Sequence, residues 1–194
     1  MIRKAEIERK TKETEIKVLV NIDGEGESRI DSGIGFFDHM LELFSKHSLI
    51  DIEMKAAGDL NVDFHHTIED VGITIGHAIN KALGDKKGIN RFGSAYIPMD
   101  ESLARAVVDL SGRGRLVYKF YLKENVGGVD TTLIKEFFRA VAENAKMNIH
   151  IEVLYGDDTH HQIEAVFKAF AVALREAVSY NERIKGIAST KGKL

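Results

Sequence analysis

The chain has 194 residues, 44% hydrophobic and 29% charged, with no cysteine and a formal net charge of -3. It is long enough to bury a core and too balanced in composition for disorder, and its slightly acidic charge leaves no footprint for nucleic acid or an anionic membrane surface. Without cysteine there is neither a disulfide framework nor a thiolate metal site, so a bound metal falls to His, Asp or Glu; the charged start and the lack of a long apolar run predict a cytoplasmic protein, neither exported nor inserted in a membrane.

The sole proline is Pro98, and no Gly- or Ser-rich linker divides the chain, so its organisation is sought in repetition. Residues 14–22 are rich in Val, Ile and Leu with partial alternation and predict a strand, followed by the turn Gly24-Glu25-Gly26. Phe37, Leu41 and Phe44 recur at helical spacing within residues 34–48, residues 49–55 alternate as a strand, and residues 67–83 form a second, longer helix. The second half follows the same course. Residues 101–110 predict a strand, Gly112-Arg113-Gly114 a turn, residues 131–146 a helix on Leu133, Phe137 and Val141, residues 147–154 a strand, and residues 162–180 a long helix. The repeating unit is three strands, a helix, a strand and a helix. This predicts an α+β fold of duplicated half-units, residues 1–88 and 89–194, with helices packed on one face of each sheet and the halves packed as one unit.

The repeat carries chemistry. Asp63-Phe64-His65-His66-Thr67-Ile68-Glu69 in the first half matches Asp158-Thr159-His160-His161-Gln162-Ile163-Glu164 in the second. On a helix successive side chains diverge by about 100°, so His65 and His66 face different targets, whereas His65 and Glu69 lie nearly in register. One such His-His-x-x-Glu is as easily a capping or solvated pair as a ligand set. Two copies at equivalent positions, in a chain with 8 histidines, favour ligation, with enough donors for two ions. Two further positions can join them: His39 on the first helix and its counterpart in the second half, Glu136. At this level a binuclear metallohydrolase fits as well as any other metalloenzyme.

Seven strings together resemble the imidazoleglycerol-phosphate dehydratase family: Phe-Phe-Asp-His-Met-Leu (36–41), His-His-Thr-x-Glu-Asp (65–70), Ile-Asn-Arg-Phe-Gly (89–93), Asp-Leu-Ser-Gly-Arg (109–113), His-His-x-x-Glu (160–164), Phe-Lys-Ala-Phe (167–170) and Ser-Thr-Lys-Gly (189–192). The resemblance spans essentially the whole chain. It implies a duplicated fold like that of ribosomal protein S5 domain 2, an assembly of 24 subunits with sites shared between subunits, and two Mn2+ ions per active site. Carried over by position, the metal ligands are His39, His65, His66, Glu69, His160, His161 and Glu164; at position 136 the family often has histidine, and Glu136 stands there in this chain. Substrate contacts implied in the same way are Glu13, His39, His47, His65, Arg91, Arg113, His160, Lys168, Ser189, Thr190 and Lys191. An RNA-binding module, the alternative suggested by a ribosomal-protein-like fold, is disfavoured by the charge.

The reaction implied converts imidazole glycerol phosphate to imidazole acetol phosphate in histidine biosynthesis by loss of water. Neither carbon-bound hydrogen is acidic and hydroxide leaves poorly. Two metal ions binding both ring nitrogens would favour a bridging imidazolate able to expel the hydroxyl through a diazafulvene-like intermediate. Glu13, Glu69 and Glu164 are the candidates for proton transfer, Glu13 first because no metal claims it, with Asp100 as a further possibility.

Overall fold

A computed structural model describes residues 3–120 and 125–194. In chain order these form β1 (Lys4–Lys10), β2 (Thr14–Asn21), β3 (Ser28–Asp31), α1 (Gly35–Ser48), β4 (Asp51–Gly58) and α2 (His65–Leu83). The same succession then returns as β5 (Phe92–Met99), β6 (Ser102–Asp109), β7 (Arg115–Lys119), α3 (Thr132–Ala145), β8 (Asn148–Tyr155) and α4 (Thr159–Val178). Two four-stranded sheets result, ordered β1-β2-β4-β3 and β5-β6-β8-β7, with identical pairing: the last strand of each half is antiparallel to the second and parallel to the third. The duplication read from sequence is thus a duplication of topology.

Alternation explains which face is covered. In β2 the residues Thr14, Ile16, Val18 and Val20 are buried while Glu15, Lys17 and Leu19 turn outward or lie at the rim, and the register sets Ile16, Val18 and Val20 opposite Ala56, Met54 and Ile52 of β4. Helix α2 lies on β1 and β2, and α4 on β5 and β6. Between the sheets α1 meets α4 and α2 meets α3, so the halves join helix to helix. Phenylalanines fill that seam: Phe37 packs edge-on against Phe137 at 5.3 Å, Phe44 stacks on Phe170 at 5.3 Å, and Phe137 stacks on Phe167 at 5.6 Å. Buried Arg3 closes the seam from outside, donating to the Val178 carbonyl at the end of α4, pairing with Asp23 and lying 4.3 Å over the Tyr180 ring. Among the described residues no helix is long and apolar enough to cross a membrane.

Several element boundaries differ from the sequence expectation, and those at the ends of the helices have local reasons. Strands expected from residues 49 and 147 begin at Asp51 and Asn148, because Leu49 and Lys146, at equivalent places, end the preceding helices in the left-handed conformation (φ 60° and 53°). The long helices begin at His65 and Thr159 rather than at 67 and 162. Asp63 Oδ1 accepts from His65 N at 2.8 Å and Asp158 Oδ1 from His161 N at 3.1 Å, which draws the paired histidines into the first turn. Finally α4 stops at Val178 instead of 180, where Ser179 turns extended.

The α2–α3 crossing is close enough to require glycine. A Cβ on Gly76 would stand 2.9 Å from Asn144 Cβ and 3.0 Å from both Ala145 N and Val141 O, and one on Gly72 would stand 2.8 Å from Phe137 O. Replacing Gly by Ala within a helix gains about 1 kcal/mol of propensity, whereas overpacking a fitted contact costs about 1–3 kcal/mol. Gly76→Ala is therefore expected to lower the thermal midpoint; a rise in calorimetry would show that the two helices are free to part.

Candidate active site

Residues one helical turn apart on α4 and a third from α1 form a compact donor cluster. His39 Nε2 and His160 Nε2 each lie 3.1 Å from Glu164 Oε1, and one ligand atom from each residue falls within 4.8 Å of the others. Lys168, a turn further along α4, donates to Glu164 Oε2 at 2.6 Å and reaches Met99 Sδ at 3.2 Å. Burial alone would push the Glu164 carboxyl up, but Lys168, His39 and His160 outweigh it and hold the group down at about 2. It is therefore an anionic donor at neutral pH. Phe36 packs edge-on against the His160 ring at 5.4 Å and walls one side.

The equivalent residues of the first half are arranged more loosely. His65 Nε2 lies 3.5 Å from Glu69 Oε2, the register expected of an i, i+4 pair. Glu136, the counterpart of His39, approaches this pair from α3, and the Arg139 guanidinium holds Glu69 at 3.1 Å and pairs with Glu136. A guanidinium thus stands between the two carboxylates.

The second histidine of each motif points elsewhere. The His65 and His66 rings are 6.3 Å apart and the His160 and His161 rings 6.2 Å apart, both pairs steeply inclined. His66 Nδ1 contacts Asp59 at 3.0 Å and its Nε2 lies 3.9 Å from Glu13. His161 Nδ1 contacts Glu101 at 2.8 Å and its Nε2 lies 3.8 Å from Asp100. Glu13 and Asp100 occupy the β1–β2 and β5–β6 turns, so each half sets a turn carboxylate beside its outward imidazole. The hydrogen bond that His66 donates to Asp59 raises the His66 pKa, and the one that His161 donates to Glu101 raises that of His161.

A basic cleft of about 520 Å³ lies apart from these groups, lined by Arg91, Ser111, Arg113 and the tail residues Ser189, Thr190, Lys191 and Lys193. The tail is tied down: Ile187 bridges to Lys87, and Gly88 N donates to Gly186 O at 2.8 Å. Arg91 is fixed by Asp109, which accepts from Nε at 2.8 Å, and by the Ala188 carbonyl, which accepts from Nη1 at 2.8 Å. His47, near the end of α1, is pushed below its usual value by burial and by the charges of Lys168 and Arg175, so it is neutral at physiological pH. Of the residues singled out in the sequence, the chain brings together His39, His160, Glu164 and Lys168. It gathers Arg91, Arg113, Ser189, Thr190 and Lys191 elsewhere and leaves His66 and His161 outside both donor sets. Sequence reasoning passed over Arg139, Asp59, Glu101 and Asp109. Arg139 carried a signal, being one helical turn from Glu136, and Asp109 opens one of the strings that resemble the family.

Two matched half-units, each presenting a paired-imidazole helix start, with a separate cationic cleft, define a duplicated α+β protein with a His/carboxylate donor cluster able to hold a cation. The family model described as imidazoleglycerol-phosphate dehydratase matches residues 32–174. Proteins of that name from Acetivibrio thermocellus and Clostridium acetobutylicum are 56% and 58% identical to the chain, the matches covering 100% and 99% of it and 100% and 98% of the relatives. The crystal structure of the Staphylococcus aureus enzyme superposes with a TM-score of 0.84 at 44% identity, covering 92% of this chain and 99% of that one. The structure of the Pyrococcus furiosus protein in complex with (S)-C348 gives 0.83 at 36% identity, covering 97% and 100%. The chain belongs to the imidazoleglycerol-phosphate dehydratase family, hydro-lyases of histidine biosynthesis.

Proposed function

We propose that the chain dehydrates imidazole glycerol phosphate to imidazole acetol phosphate at a site that holds two Mn2+ ions and is assembled from several copies of the chain. The observation that carries this reading is the separation of the parts along α4. The donor cluster sits at its start, whereas Arg91 N donates to Ala177 O near its end. At about 1.5 Å per residue, His160 and Ala177 are roughly 25 Å apart. The substrate is about 8 Å long by bond lengths. A cleft that grips its phosphate therefore serves another copy's donor cluster.

The outward histidines fit the same arrangement. A copy that turns its first motif towards the second motif of a neighbour lends His66 to the cluster of His39, His160 and Glu164, and receives His161 beside His65, Glu69 and Glu136. Each position then has four nitrogen and carboxylate donors and no thiolate, a set suited to Mn2+. Loading the first-half position requires Arg139 to release Glu69 and Glu136. Because the contact joins unlike surfaces, it passes from copy to copy until a ring closes, and the 24-subunit assembly implied by the family pattern then requires a second contact that joins such rings.

Bound ions supply Lewis acidity that makes the imidazole ring of the substrate an electron source. The chain supplies the rest. Arg91, Arg113, Lys168, Ser189, Thr190 and Lys191 hold the phosphate, with guanidinium forks and ammonium charges suited to its oxygens. Neutral His47 is available to a substrate hydroxyl. Glu13 takes the proton from the carbon next to the one that loses its hydroxyl and passes it to the departing hydroxide; the C–O and C–H bonds break, water leaves, and the enol becomes the ketone. Glu69 and Glu164 remain with the ions.

Incubating the purified protein with imidazole glycerol phosphate is expected to yield the ketone with its phosphate retained. Chelation is expected to abolish the yield, and added Mn2+ to restore it. Full turnover after complete chelation would remove the metal from the mechanism, and release of inorganic phosphate would make the protein a hydrolase.

A further inference from the structure

The two outward histidines share a feature that the neighbouring histidines lack: each is held through Nδ1 by a carboxylate from outside the motif. A carboxylate only accepts, so it requires a proton on the nitrogen that faces it and leaves the lone pair of the neutral ring on the other. Asp59 contacts His66 Nδ1 at 3.0 and 3.2 Å, and Glu101 contacts His161 Nδ1 at 2.8 Å. His39 and His160 are held instead through Nε2, by Glu164.

The two carboxylates differ in their freedom. Glu101 Oε1 accepts from Ser102 Oγ at 2.8 Å, Asp158 N at 3.0 Å and Asp157 N at 3.3 Å, so three donors fix one oxygen and leave the other for His161. Asp59 turns both oxygens towards His66. We propose that Glu101 and Asp59 are positioning residues that fix the tautomer in which His161 and His66 offer Nε2 as ligand to the neighbouring copy, Glu101 being the one an amide cannot replace. This rests on the reading that those two imidazoles ligate across an interface.

The isosteric amides separate the two residues. In Glu101→Gln the carbonyl oxygen must stay with its three donors, so the amide NH2 faces His161 Nδ1 and the ring proton moves to Nε2, where it blocks ligation. In Asp59→Asn the side chain can turn its carbonyl oxygen to His66 and preserve the tautomer. Manganese titration of the assembled protein, with bound metal counted per subunit, reads this directly. Removing the outer partner of a ligating histidine typically weakens metal binding by about 10–100-fold. Glu101→Gln is expected to weaken one class of site by that factor, Asp59→Ala to weaken the other, and Asp59→Asn to restore it. Wild-type affinity in Glu101→Gln, or in Asp59→Ala, overturns the proposal. Should Glu101→Gln fail to assemble, the Asp59 pair decides. His161→Ala distinguishes the levels: if it keeps both classes intact, the interfacial ligation fails; if it loses one while Glu101→Gln does not, only the positioning role fails.

Discussion

Two inactive variants, His66→Ala and His160→Ala, are expected to regain activity when they are co-expressed and to show none when each is purified alone. On the proposed arrangement the first loses the imidazole lent across the contact and keeps an intact second motif; the second loses part of the cluster and keeps an intact first motif. In a randomly mixed particle, half of the first-motif faces and half of the second-motif faces are sound, so about a quarter of the contacts unite two sound faces. Differently tagged chains, captured through both tags, ensure that only mixed particles are assayed. If every ligand of a site came from one chain, each chain would carry a lesion and the mixture would stay as inactive as its parents.

Glu13→Gln is expected to lower kcat by about 10²–10⁴-fold, the usual range for removing a general base. It should leave bound manganese and substrate affinity near wild type, since Glu13 lies 3.9 Å from His66 Nε2 and is assigned to no ion. Asp100→Asn makes the matching change beside His161, where the distance is 3.8 Å. Single-turnover kinetics with metal analysis on both variants identifies the base. A larger loss of kcat in Asp100→Asn would transfer the role to the β5–β6 turn.

The sequence disclosed what depends on local periodicity. Alternation marked β2 and β4, helical spacing marked α1 and α3, and the i, i+4 relation of His65 to Glu69 and of His160 to Glu164 followed from helix geometry. It also indicated that adjacent histidines must diverge. Long-range packing was not legible. That His39 joins the second motif depends on α1 lying against α4, and that Arg139 stands between Glu69 and Glu136 depends on the α2–α3 crossing at Gly72 and Gly76. Asp59 and Glu101 carry no signal of their own, because a carboxylate near a turn looks the same whether it faces solvent or a ring nitrogen. Nor does any spacing show that Arg91 and His160 lie at opposite ends of one helix.

On the proposed arrangement the outward turn of His66 and His161 would also tie assembly to metal supply. If each ion is gripped by two copies, binding and association are linked equilibria: whatever factor the contact adds to metal affinity, the metal adds to the strength of the contact. On that reading the metal would act as a rivet as well as a reagent, and its depletion would loosen the contact between copies.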